Sequence, residues 1–126
     1  MPERTDADWQ ALADRIAQEV MGWIIKYYGI PSKRRPVYCE SWLAHRSLMY
    51  VNHWQPHLKI VQALMVADKI CDQGWDRELT RLGVAQKRYA SFWKYRPIGR
   101  DIFDGCAKTD AKAICIAIEK FMEANC

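Results

Sequence analysis

The sequence has no apolar run long enough to cross a membrane. Its longest, Trp23 to Ile25 and Ile114 to Ile118, fall far short of the roughly 20 residues a spanning helix needs. It begins with Glu3, Arg4, Asp6 and Asp8 where a secretory leader would be basic and then apolar, so a cytoplasmic location is expected. The cysteines Cys39, Cys71, Cys106, Cys115 and Cys126 are odd in number and contain no C-x-x-C pair, which argues against a disulfide framework. They read as reduced thiols, Cys71 and Cys115 as small core residues inside apolar segments.

Catalytic signatures are missing as well. There is no G-x-S-x-G, no G-x-x-x-x-G-K-[ST] and no G-x-G-x-x-G, and Ser41, Ser47 and Ser91 have no local context that would activate a hydroxyl. Carboxylates such as Asp72 and Asp76 are not set apart by spacing. Cys39, His45, His53 and His57 supply zinc-type ligands within nineteen residues. Pro56, placed at the start of a helix, keeps His53 and His57 from sharing one helical face. The expectation is therefore a non-enzyme with no cofactor and no metal.

What is present is an ordinary globular composition in 126 residues: 50% hydrophobic, 27% charged and a net charge of +4. A chain of this size buries enough surface for a core without staples, and a single domain over 1–126 is expected, with an irregular elaboration at about 30–53. Trp9, Leu12, Ile16 and Val20, with Ala13 and Ala17, recur at steps of three and four and predict a helix ended by Gly22. Residues 23–28 suit a short strand or an irregular exit. Gly29 to Pro36 reads as a loop, and 37–55 is the least legible part, compatible with strands at Val37 to Cys39 and Met49 to Val51 around a helical turn at Trp42 to Leu48.

A second helix is expected from Pro56, as first-turn residue, to just before Gly74, with Leu58, Val61, Leu64, Met65 and Cys71 as its apolar face. Trp75 to Leu82 reads as a strand with Trp75, Arg77, Leu79 and Arg81 on one side. Gly83 marks a turn. Gln86 to Tyr95 follows as a strand, with Tyr89, Trp93 and Tyr95 on one face and Ala90 and Phe92 on the other. Asp104-Gly105 is a tight-turn signal ahead of a short strand at Cys106 to Lys108. Thr109 then caps a third helix that faces Ala113, Ile114, Ala117, Ile118, Phe121 and Met122 inward. The order of elements is α+β, with helices packed on a small antiparallel sheet.

Three patches resemble the phage ABA-sandwich domain proteins, a family of small bacteriophage and prophage proteins. They are Glu19-Val20-Met21-Gly22-Trp23; Trp54-Gln55-Pro56 leading into a helix that ends Val66-Ala67-Asp68-Lys69-Ile70; and Tyr89-Ala90-Ser91-Phe92 followed by Asp110-Ala111-Lys112-Ala113-Ile114-Cys115-Ile116-Ala117. The likeness spans about residues 9 to 122, with the middle segment as elaboration. It implies a three-layer helix, sheet, helix arrangement and a viral setting in a bacterial host cell, and it carries no common chemistry or ligand. His57, Leu58 and Lys59 depart from the small hydroxyl residue and acid that members often place after the Trp-x-Pro, leaving a basic helix start.

Charge is the most informative functional signal. Residues 77–100 hold Arg77, Arg81, Lys87, Arg88, Lys94, Arg96 and Arg100 against Glu78 alone, a net of +6, whereas residues 1–20 carry −3. Tyr89, Trp93 and Tyr95 interleave with these cations, a pattern that suits phosphate contact plus base stacking. It equally suits core aromatics on a sheet whose outer face is solvated. Lys33, Arg34 and Arg35 add a basic loop between Pro31 and Pro36, able to meet a phosphate or an acidic protein surface. Trp42 and Trp54 lie in the irregular middle, where anchoring a long loop is the favoured role over lining a pocket.

The leading functional expectation is a non-catalytic phage accessory protein that binds a host protein with an acidic surface and so inhibits an anti-phage defence component. The alternative is a binding module, or sponge, for a nucleotide signal or single-stranded nucleic acid. That version uses Arg88, Lys94, Arg96 and Arg100 for phosphate and Tyr89 or Trp93 for stacking. A homo-oligomer joined through the apolar middle is a third possibility. The first two readings share one requirement: the cationic heads of the third quarter must stand together on one open face.

Overall fold

The computed structural model describes residues 4–29, 33, 35–43, 46–82 and 87–124, with the backbone alone at 28 and 80–82. Arg34, His45 and the turn expected at Gly83 lie outside the described residues. Three helices and two three-stranded antiparallel sheets make an α+β chain, with two small sheets where one was expected. The chain divides into two compact units, residues 1–55 and 56–126.

The first unit opens with α1, Asp6–Glu19. Its start is a capping box: the Asp8 amide donates to Thr5 Oγ1 at 3.1 Å and the Thr5 amide donates to Asp8 Oδ2 at 3.0 Å. Those bonds, the one from the Thr5 backbone first, hold the Asp8 carboxyl below the usual carboxylate range. Trp9, Leu12, Ala13, Ile16 and Ala17 form the buried stripe. Gly22 then takes φ +71°, which reverses the chain at little steric cost, into β1, Ile24–Tyr28.

The middle segment is more regular than its composition suggests. β2, Arg35–Cys39, pairs antiparallel with β1 through Ile24↔Cys39, and β3, Met49–Tyr50, pairs with β2 through Val37↔Tyr50. A 3-10 turn over Val51–His53 follows. The helical turn expected over Trp42 to Leu48 falls in part on residues 44 and 45, outside the described residues; Trp42 and Leu43 lie in a turn and Arg46 in a bend. The strand escaped its usual alternation signal because Val37, Tyr38 and Cys39 are all buried, so both faces of β2 are apolar.

Three aromatic rings anchor this unit. Trp54 is fully buried and its indole Nε1 donates to the carbonyl of Ala13 at 2.8 Å, while Trp23 meets it edge-on at 4.7 Å. Tyr38, 5.7 Å from Trp23, donates its hydroxyl to Asp14 Oδ1 at 2.8 Å. Trp54 thus anchors the loop as expected. Trp42 does not: it is 71% exposed beside Leu43, which is 87% exposed.

In the second unit α2, Ile60–Cys71, begins four residues later than the proline signal implies, and it buries Ala63, Val66, Ala67 and Ile70 while Leu58, Val61 and Met65 of the expected face are exposed. Pro56 sits in a turn over residues 56–58, and Lys59 is extended at φ −113°, ψ 106°, with no side-chain cap and no acid in the first turn. The basic replacement at this helix start therefore leaves the helix weakly capped. Cys71, half-buried at the far end, has its thiol pushed up by burial.

The sheet of this unit runs β4, Asp76–Leu82; β5, Lys87–Tyr95; and β6, Arg100–Ala107, in sequence order. The turn between β5 and β6 lies at 96–99, where the Arg96 amide donates to the Gly99 carbonyl at 3.0 Å and Gly99 takes φ +79°. The Asp104-Gly105 turn is thereby overturned: both residues are mid-strand, opposite Ser91 and Ala90. Gly105 is needed for a different reason. A Cβ there would lie 2.3 Å from the Ala113 carbonyl oxygen and 2.6 Å from the Ala117 amide nitrogen of α3, Asp110–Ala124. The helix rests its backbone against the strand at that point and buries Ala113, Ile114, Ala117, Ile118, Phe121 and Met122 as the periodicity predicts. Trp75, Phe103 and Phe121 close one end of the layer with centroids 5.4 to 5.8 Å apart.

Two measurements test this account. Gly105→Ala forces a methyl into helix backbone and should cost about 1–3 kcal/mol in urea unfolding; a neutral substitution would disprove the close approach. Tyr38 has its hydroxyl held protonated by burial and by Asp14, with its folded pKa raised. Its contribution is complete below the unfolded value of about 10 and is lost as pH rises beyond it. Tyr38→Phe should therefore flatten the fall in urea midpoint above about pH 10, a fall of equal steepness in both proteins being the contrary result.

Candidate functional site

The fate of the basic third quarter follows from the period of two along β5. Arg88, Ala90, Phe92 and Lys94 occupy one face, and Tyr89, Ser91, Trp93 and Tyr95 the other. Ala90 and Phe92 are buried, and opposite them stand Gly105 and Phe103, so the first face is the one α3 covers. Arg88 and Lys94 stand at its ends. Two of the four cations named for phosphate, Arg88 and Lys94, are thus on the opposite side of β5 from the rings named for stacking, Tyr89 and Trp93.

Most of the cationic heads are also engaged. Arg77 Nη1 lies 2.6 Å from Asp68 Oδ1 of α2, Arg88 Nε 3.8 Å from Asp110 Oδ1 of α3, and Arg96 Nε 2.5 Å from Asp101 Oδ2. Lys94 Nζ stands 5.8 Å over the Trp75 ring. The side chain of Arg81 lies outside the described residues, and its backbone pairs with Arg88. Tyr89 donates to Asp104 Oδ2 at 3.2 Å, and burial, followed by the charge of Asp104, raises its phenol pKa. Asp104 also receives Lys120 at 3.1 Å.

Two places gather functional groups instead. At the free end of the β5–β6 hairpin Tyr95 is opposite Arg100 and Trp93 opposite Ile102, on one face of the sheet. Tyr95 is 71% exposed, Ile102 43% and Ile98, in the turn, 95%. Arg100 is exposed and has no ion pair among the described residues. This cluster joins aromatic, aliphatic and guanidinium groups in the composition that carries energy at protein interfaces. The charge count drew attention to Trp93, Arg96 and Arg100. It missed Ile98 and Ile102, whose exposure depends on where the turn falls.

The second place is in the first unit. Lys33 and Arg35 line a groove of about 550 Å³ with Ser47, Tyr50 and His53. Arg35 stands 5.7 Å over the Tyr50 ring, and Tyr50 meets His53 at 5.5 Å with planes at 90°. Arg34, the third cation of that loop, is outside the described residues. A further cleft of about 430 Å³ lies at the start of α3, lined by His57, Arg88, Lys108 and Lys112. There Asp110 already supplies the carboxylate that the helix N-terminus favours. Among the described residues no group of three or more His, Cys, Asp or Glu side chains is placed to hold a metal ion, and no helix is long and apolar enough to cross a membrane.

No protein-family model and no curated protein matches the sequence. Among solved structures the chain is similar to a phage protein from Bacillus cereus ATCC 14579, solved at 2.0 Å, with a TM-score of 0.55 and 17% identity over 96% of this chain and 94% of that one. The likeness is one of fold and extends over nearly the whole chain.

The paired arginines sit on exposed or half-exposed side chains, where ion pairs contribute little. Arg77→Gln and Arg96→Gln should each change unfolding free energy by less than about 1 kcal/mol, with the change shrinking in salt. A loss several times larger in either variant would show that the pairing is structural.

Proposed function

We propose that the protein is a phage accessory protein that acts by binding, and that its partner is a host protein presenting an apolar recess rimmed by carboxylates. The observation that carries the reading is the hairpin end. Tyr95, Ile98 and Ile102 expose apolar surface in the same hairpin end as Arg100, which is closed by a turn with Gly99 at positive φ. Large rigid side chains give contact area at low entropy cost, and an arginine beside them selects a carboxylate-bearing partner. The fold likeness to a phage protein supports the viral setting. The finer proposal is that the partner belongs to bacterial anti-phage defence, where occupying a functional surface is enough to inhibit and no catalysis is required of the inhibitor.

The paired cations narrow this proposal. With Arg77, Arg88 and Arg96 each beside a carboxylate, the long-range attraction is weaker than a +6 stretch suggests, and affinity rests on the hairpin end. Tagged protein and an Ile98→Asp/Arg100→Glu variant, compared by capture from host lysate, should differ by about tenfold or more in one acidic-surfaced partner. Both should have the same melting temperature. Equal capture by the two forms overturns the proposal, and so does the absence of any partner.

A further inference from the structure

We propose that the groove beside β2 and β3 is a binding site for a nucleoside diphosphate. It lies on residues of the first unit and does not rest on the hairpin reading. Sheet register builds it. Val37 faces Tyr50 across the β2–β3 ladder, and Arg35, two residues before Val37, shares that face. The diagonal offset sets the guanidinium over the phenol ring at 5.7 Å. His53, in the 3-10 turn that follows β3, brings its ring perpendicular to Tyr50. Lys33 comes from the loop ahead of β2, and the wall is completed by Ser47 to Met49.

Each feature restricts the ligand. Lys33 and Arg35 are cations, and among the described residues no Asp or Glu lines the groove. Among the described residues neither has a carboxylate within ion-pair distance, in contrast to Arg77, Arg88 and Arg96. Two cations without a counter-charge in one concavity call for an anion carrying at least two charges. With its guanidinium carbon 5.7 Å from the Tyr50 ring centroid, Arg35 has a planar fork of donors to offer to phosphate oxygens. Tyr50 keeps 41% of its surface exposed, which provides a platform for a planar base. At about 550 Å³ the groove has the capacity of a small-ligand pocket. An anion with a flat aromatic ring attached, of that size, is a nucleotide, and two cations match two phosphates.

Calorimetric titration of the full chain at low salt with ADP, GDP, CDP and UDP tests the site. At least one should bind with a Kd below about 1 mM, while its parent nucleoside and pyrophosphate each bind about tenfold or more weakly, because neither half fills both parts of the groove. Arg35→Gln and Tyr50→Leu should each weaken binding of that diphosphate by about tenfold. Lys33→Gln, in a loop and remote from the core, gives a second variant that leaves folding intact and should weaken it severalfold. The proposal is overturned if none of the four binds, if pyrophosphate binds as tightly as the diphosphate, or if the three variants bind like the parent. Tighter binding of a ten-nucleotide single strand through these same residues would also overturn it, in favour of a strand-binding groove. Hairpin variants should bind the diphosphate unchanged, so this test and the lysate capture fail separately.

Discussion

At Gly105 the backbone of α3 comes so near to β6 that a single methyl group would strike the Ala113 carbonyl. The organisation of the second unit follows from that approach. A helix this close must present small residues to the strand, and Ala113 and Ala117 supply them, while Ile114, Ile118 and Phe121 fill the space to either side. Once α3 covers one face of the sheet, period two decides every other position. Ala90 and Phe92 are buried, and the cations that share their face, Arg88 at its end and Arg77 on β4, are pushed to the rim, where α3 and α2 offer Asp110 and Asp68. The pairing of Arg77 and Arg88 is thus a by-product of how the core is covered.

The first unit is held by polar handles on large rings. Trp54 and Tyr38 are both fully buried, and each satisfies its one polar hydrogen on α1, at the Ala13 carbonyl and the Asp14 carboxylate. These bonds fix β2 and the segment after β3 against the helix, and so fix the register of two very short strands that would be marginal alone. Register in turn sets Arg35 diagonal to Tyr50. The groove is a consequence of where two buried rings find their hydrogen-bond acceptors.

The first and third helices were legible in the sequence because their periodicity is strong and their buried faces wide, and every inward residue assigned to the third helix is buried. The faces of β5 were legible for the same reason. The strand at Val37 to Cys39 was placed as well, though β2 is apolar on both sides and gives no alternation. The second helix was placed with the wrong face inward, since Leu58, Val61 and Met65 are exposed and Ala63, Val66, Ala67 and Ile70 are buried. Two further features were not legible. Gly105 has the sequence signature of a turn, while its actual cause is the approach of helix residues eight or more positions away in sequence. Pro56 signals a helix start, but the extended Lys59 delays it to Ile60. In each case local chemistry permits two structures and a tertiary contact selects one.

The candidate sites divide along the same line. Charge density along the chain located Arg77, Arg88, Lys94 and Arg96, yet density counts residues without regard to the face they occupy or the acids that meet them. Asp68, Asp101 and Asp110 are scattered in sequence and become partners only in space. The short run at Lys33 to Arg35 was a weaker signal by count. Two of its members line a concavity with no acid in its walls among the described residues, beside rings that the sequence keeps fifteen residues or more away from Arg35. What distinguishes a recognition surface from a solvated one is the absence of a counter-charge at the site, and that property belongs to the folded arrangement. A two-charge cluster left unneutralised in a groove exerts more local attraction on an anion than Arg77, Arg88 and Arg96, each of which stands beside a carboxylate.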